Sequence, residues 1–197
     1  CEEGLAGYAE TAPIPFRWGC EETQESIVSA VNEYVAPLMI GQDASRINYL
    51  LDTMTKRVGD LPYARCGICD ALYDLNARAA NVPISSLLGG VQEPNLKASW
   101  SISFKSADEM AKEAAWAVSE GYSWVKVKIG SKEPRQDVRN VAAVREAVGE
   151  RTFIHVDANA GYRYLDAVEV LPQIDEFRPR LIERPVAGWD IHVLSKL

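Results

Sequence analysis

Two periods of apolar residues divide this chain. From Thr23 to about residue 88 the spacing is helical. Thr23 reads as an N-cap, and Ile27, Val28, Val31, Val35 and Leu38 form one face of a helix ending near Gly41. A second helix is predicted from about Ala44 to Val58. A third runs from about Tyr63 to Ala80, with Ile68, Ala71, Leu72, Leu75 and Ala79 on one side. Before them, residues 4–11 read as the end of a twisted β-hairpin, and residues 12–22 as a loop rich in Pro and aromatic side chains. Pro83 and the pair Gly89 and Gly90 close this region.

Beyond residues 90–95 the pattern changes. Strands are predicted at 96–103, 124–129, 152–159 and 180–185, and helices at 107–120, 134–148 and 164–176. Strands alternating with helices over short connections imply parallel pairing with right-handed crossovers. A doubly wound sheet and a (β/α)8 barrel both fit that alternation. The polar residues choose between them. In WVKVKIG, Val125, Val127 and Ile129 alternate with Lys126 and Lys128. The apolar set suits packing on helices, so the lysines face the other way. In a doubly wound sheet that side holds more helices. In a barrel it is the interior, open at the carboxyl ends of the strands where barrel sites lie. The expected fold is therefore α/β plus α+β: a partial (β/α)8 barrel, its first four β/α units at residues 93–197, preceded by an α+β capping domain at residues 1–92.

Two more strand segments carry inward polar residues near their ends: Asp157 and Asn159 in FIHVDAN, and Glu183 in LIERP. Two ammonium groups, two carboxylates and an amide in one cavity are costly without a function. Hard carboxylate oxygens from adjacent strands suit Mg2+, and Asn159 is placed to support that site or to touch a substrate. A lysine buried beside another lysine and a cation is expected to have a depressed pKa, and its neutral amine can abstract a proton. A metal on a substrate carboxylate would stabilise the enediolate left behind.

The bulk numbers narrow the partners. The chain has 197 residues, 47% hydrophobic and 25% charged, with a formal net charge of −7. That balance argues against nucleic acid or an anionic membrane as a partner. No apolar run approaches the roughly 20 residues that span a bilayer. Four cysteines are present. Cys66 and Cys69 make a C-x-x-C inside a helical pattern, with no second pair at zinc spacing, and read as small buried helix residues. A reduced, cytoplasmic protein is expected. The chain opens on CEEGLAGYAE with no initiating Met and no signal-peptide pattern, and its own N-terminus is expected to lie further upstream.

In this order, K-x-K in VKVKIG, D-x-N in HVDANAGY and E-x-P in LIERPVAGWD resemble the enolase superfamily. They are most similar to its mandelate racemase/muconate lactonizing enzyme branch, in the muconate-lactonizing-like subgroup. ARCGICDALYDLNARAANVPISSLLGG resembles the helix ending that family's capping domain, and GLAGYAETAPIP its hairpin and specificity loop. The resemblance implies Lys128 as the proton-transferring acid/base, with Lys126 lowering its pKa and holding the substrate carboxylate. It implies Asp157 and Glu183 as two of three Mg2+ ligands. Phe16, Arg17 and Trp18 would belong to the loop that closes over a small carboxylate substrate, although such residues are also ordinary packing groups. The third ligand and an opposing lysine would fall on fifth and sixth strands, past Leu197. The implied chemistry is racemisation, epimerisation or cycloisomerisation by a homo-oligomer. A succinylbenzoate-forming dehydratase and a non-catalytic half-barrel or assembly subunit remain as alternatives. A nucleotide-binding domain is disfavoured, because IGSKEP and ANAGYR lack the glycine spacing of a phosphate loop.

Overall fold

A computed structural model describes residues 4–14, 21–187 and 191–197, the side chain of residue 191 excepted. The chain forms two compact units, Cys1–Pro94 and Asn95–Leu197.

The described part of the first unit is helical. Thr23 and Ser26 form a reciprocal capping box at the start of α1 (Gln24–Ser29). A π-helical turn (Ala30–Val35) follows and leads into α2 (Ala36–Met39). Its cause is local. Pro37 has no N–H for the Glu33 carbonyl, and its ring crowds that group; the wider turn before it relieves the clash. Ile27, Val31 and Val35 stay on the packed stripe, while Val28 is exposed, contrary to the sequence expectation. Then come α3 (Ile47–Val58), α4 (Pro62–Ala80) and the single turn α5 (Ile84–Leu87). Met54 and Ala64 join Ile27 and Val35 in a small core.

Residues 4–14 belong to no strand among the described residues. This segment lies along α4, where the Tyr8 amide donates to Asp74 Oδ2 at 2.8 Å. Gly7 lies so near the Ala71 carbonyl that a Cβ would collide with it. The two cysteines differ from expectation. Cys66 is exposed and Cys69 half-buried, and both are free thiols, because their face of α4 is not the packed one. Burial pushes the Cys69 thiol up, with Asp70 adding to the shift.

One carboxylate organises this unit. Glu22 is buried and accepts from the Tyr63 and Ala64 amides at 2.7 and 3.0 Å. It caps α4 from 41 residues away, at a helix start whose own Leu61 supplies no side-chain cap. Thr11 Oγ1 donates to the Tyr63 carbonyl at 2.9 Å, so the chain on both sides of residues 15–20 is fastened to one residue.

The second unit is a four-stranded parallel sheet in the order β1-β2-β3-β4: β1 (Ser99–Ile102), β2 (Trp124–Lys128), β3 (Phe153–Asp157) and β4 (Leu181–Glu183). The crossovers are α6 (Ala107–Ser119), α7 (Pro134–Val148) and α8 (Tyr164–Asp175), and α9 (Ile191–Leu194) follows β4. One sheet face is apolar. Ile102, Val125, Val127, Ile154 and Val156 are fully buried against Met110, Ala114, Val141, Val144, Val170 and Ile174. Among the described residues no helix is long and apolar enough to cross a membrane.

Removing the Glu22 carboxylate leaves two helix-start amides without their acceptor. Glu22→Ala is expected to cost about 1–3 kcal/mol, read as a lower urea midpoint at unchanged slope, with Glu22→Gln recovering part of the loss.

Candidate active site

The other face of the sheet is graded from apolar to charged. The register pairs Trp124 with Phe153, Lys126 with His155, Lys128 with Asp157, and Asp157 with Glu183. Because side chains alternate along a strand, these residues share one face. At the amino ends Trp124 stacks on Phe153, with ring centroids 4.6 Å apart. At the carboxyl ends Lys126, Lys128, Asp157, Asn159 and Glu183 converge.

Lys126 Nζ lies 2.8 Å from Asp157 Oδ2 and 2.7 Å from Glu183 Oε2. Lys128 Nζ donates to the same Asp157 Oδ2 at 2.7 Å and to Asn159 Oδ1 at 2.6 Å. Asn159 in turn gives its backbone amide to Asp157 Oδ1 at 2.9 Å and its Nδ2 to Oδ2 at 3.1 Å. The Asp157 side chain is 1% exposed, and each lysine about a quarter exposed. Burial opposes ionisation of Asp157, but hydrogen bonds from Lys126, Lys128 and the Asn159 amide outweigh it and hold the carboxyl down at about 2.

Lys126 is held as an ammonium. Burial lowers its pKa, yet the bonds to Asp157 and Glu183 prevail and raise it above the ordinary value. Its ammonium is the cation that the two carboxylates share. Their two oxygens meet a positive charge at one point, and that donor set fits a hard divalent ion. Asp157 and Glu183 supply two carboxylates; the described residues contain no cluster of three metal-binding side chains.

His155 belongs to this face and was not singled out from sequence, although it sits at period two with Asp157. Its Nε2 approaches Glu183 Oε2 to 2.8 Å but without the angle of a hydrogen bond. Burial, with Lys126 adding to it, lowers its pKa and favours the neutral imidazole. Phe16, Arg17 and Trp18 lie outside the described residues.

The connecting backbone is strained where the site is built. Asn159 and Ala160 have φ of 46° and 62°, and Arg184 follows Glu183 at 46°. Such non-glycine conformations cost about 1–3 kcal/mol each and persist where surroundings enforce them. Here the Ala158 and Ala160 amides donate to the Glu183 and Arg184 carbonyls at 3.0 and 2.7 Å, tying the two strand ends together.

A parallel β/α sheet with its charged residues gathered at the strand carboxyl ends is the architecture of a β/α barrel site. Residues 1–89 match the mandelate racemase/muconate lactonizing enzyme N-terminal domain, and residues 109–197 the enolase C-terminal domain-like model. The chain belongs to the mandelate racemase/muconate lactonizing enzyme family of the enolase superfamily, and corresponds to the N-terminal half of its members. It is 31% identical to a chloromuconate cycloisomerase from a Pseudomonas species, over 98% of this chain and 53% of that protein. Among solved structures, the N-succinyl Arg/Lys racemase of Bacillus cereus superposes with a TM-score of 0.92 at 30% identity, covering 100% of this chain and 54% of that one. A dipeptide epimerase from Enterococcus faecalis, complexed with Mg and the dipeptide L-Leu-L-Tyr, gives 0.88 at 30% identity over 98% and 53%. The chain thus spans about half the length of the relatives it matches.

The low Asp157 pKa has a consequence for acid stability. The folded value, about 2, lies below the ordinary one near 3.9, so the carboxylate's contribution is present above about pH 4 and drains away between about pH 4 and 2. In chelator-containing buffer, stability measured by urea unfolding is expected to fall across that window, and less steeply in Asp157→Asn.

Proposed function

We propose that this chain supplies the proton-transfer half of a Mg2+-dependent isomerase that removes the proton α to a carboxylate, through an enediolate, and so racemises, epimerises or cycloisomerises its substrate. The observation that carries this reading is the lysine–carboxylate tetrad at the strand ends: two amines and two carboxylates joined by contacts of 2.7–2.8 Å. The relatives support it, being named as cycloisomerases, epimerases and racemases.

Asp157 and Glu183 would hold the metal. When bound, Mg2+ would neutralise the charge that grows on the substrate carboxylate as the α-proton leaves. Lys128 is assigned as the acid/base on one face of the substrate, where it takes up or delivers the α-proton; racemisation or epimerisation would also need a second acid/base on the opposite face, which the rest of the whole enzyme would supply. Lys128 stands on the side of Asp157 away from Glu183, next to Asn159, with about a quarter of its side chain open to the strand-end space. Lys126, between the two carboxylates, is assigned to the substrate carboxylate, which it would reach as a point charge. Asn159 orients both Lys128 and Asp157 through its amide group. The substrate of the whole enzyme is assigned only by class, as a small carboxylate.

Mutation separates the two roles. In the enzyme that carries this chain, Lys128→Ala is expected to abolish exchange of the α-proton with solvent deuterium while Mg2+ binding, by titration calorimetry, stays nearly intact. Asp157→Ala is expected to lose both. Exchange retained in Lys128→Ala would overturn the assignment of the base.

A further inference from the structure

Helix α7 buries Asp137, Asn140 and Arg145, and the first and last of these serve opposite ends of the sheet. Arg145, 8% exposed, donates to four backbone carbonyls at the amino ends of the strands. Its Nε reaches Phe177 at 2.9 Å, its Nη1 Gly149 and Thr152 at 2.7 and 2.8 Å, and its Nη2 Arg178 at 3.1 Å. Asp137, wholly buried, lies two turns earlier, about 12 Å along the axis at about 1.5 Å per residue. It serves the carboxyl ends, where the tetrad stands.

Asp137 Oδ2 accepts three hydrogen bonds: from the Gly130 and Ser131 amides at 2.9 Å each, and from the Tyr162 hydroxyl at 2.8 Å. Its Oδ1 is buried without a partner among the described residues. Gly130 stands two residues after Lys128, and Tyr162 three after Asn159. The two loops are in backbone contact. A Cβ on Gly130, which has a φ of +88°, would collide with the Ala158 carbonyl, and one on Gly161 with the Gly130 carbonyl. Tyr162, 4% exposed, closes the far side and gives its own amide to Pro185 beyond β4 at 3.2 Å. A carboxylate half satisfied in an apolar core is costly. Here it is spent on fastening the two loops that follow Lys128 and Asp157.

We propose that Asp137 is a positioning residue: through Gly130, Ser131 and Tyr162 it fixes the β2–α7 loop against the β3–α8 loop, and so sets Lys128 against Asp157 and Asn159. Its bearing on catalysis rests on the proton-transfer reading above, but the fastening of the loops does not. Asn at this position can keep an oxygen toward all three donors, whereas Ala cannot. Arg145 acts on the opposite ends of the same strands and is the control for lost stability.

The test compares Asp137→Ala, Asp137→Asn, Tyr162→Phe and Arg145→Lys in the full protein by amide hydrogen exchange and by Mg2+ titration. Asp137→Ala is expected to speed exchange at residues 129–132 and 159–163 by about tenfold relative to residues 125–127 and 154–156. It is also expected to weaken Mg2+ binding by about tenfold although Asp157 and Glu183 are untouched, with Asp137→Asn restoring most of both. Tyr162→Phe is expected to loosen residues 159–163 more than 129–132, and it reads the clamp even if Asp137→Ala does not fold. Arg145→Lys is expected to lower the melting temperature without changing Mg2+ affinity. Loop exchange unchanged in the Asp137 and Tyr162 variants, or the same local changes in Arg145→Lys, would overturn the proposal. A wild-type protein that binds no Mg2+ would defeat the metal reading instead, and loop exchange would still decide the clamp.

Discussion

Asp157 stands between two ammonium groups at the end of a central parallel strand, and the arrangement of the strand ends follows from keeping that buried charge matched. Its side chain is almost fully enclosed, so it cannot ionise without partners. Lys126 and Lys128 supply them only because β2 pairs with β3 in one register, setting Lys128 beside Asp157 and Lys126 beside His155. A slip of one residue would turn every charged side chain of β2 into the helix-packed core and bring Val125 and Val127 to the open face. Pairing of the charges and burial of the valines therefore specify the same register.

That requirement passes outward to α7. A helix packed on a sheet would ordinarily bury only apolar residues, as Val141 and Val144 do. Asp137 and Arg145 are buried as well, each next to backbone groups that the strands leave without ladder partners. The helix thus satisfies donors at one end of the sheet and acceptors at the other. The signs suit the geometry: amides that open toward α7 after β2 meet a carboxylate, and carbonyls gathered before β3 and β4 meet a guanidinium. The first unit uses the same device when Glu22 caps α4 across a long stretch of sequence.

The β/α alternation was readable because each helix spans one crossover and each strand alternates cleanly; α7 follows its periodicity from Pro134 to Val148. Lys126, Lys128, Asp157 and Glu183 were readable because a charge in an apolar strand breaks the pattern. His155 breaks it too and could have been found by the same rule. Asp137 and Arg145 could not, since an acid in the first turn and a base in the last are what any solvated helix places near its dipole ends. Only the packing shows that both point inward. The packing of residues 4–11 on α4 was not legible for a related reason: a strand-like pattern does not say what the chain lies against, and Gly7 fits it to α4. Val28, in α1 just ahead of the π turn, is exposed beside the buried Ile27, so the helical face read from the sequence is narrower than expected.

The charges also bear on how such a site would gather its substrate. Two ammonium groups cancel two carboxylates, so the tetrad alone has no net charge with which to attract an anion, and the chain as a whole is negative. On the proposed reading, a divalent cation at Asp157 and Glu183 would leave the tetrad net positive by the cation's full charge. It would also free Lys126 from the two carboxylates that now raise its pKa. Attraction for a substrate carboxylate and release of the lysines from their ion pairs would then come from one binding event. The cost is that the cation must displace contacts of 2.7–2.8 Å already made, which favours side chains held in place by something other than those contacts. The Asn159 backbone amide on one side of Asp157 and the backbone ties between the β3 and β4 ends on the other provide that support, because neither of these backbone contacts involves a lysine.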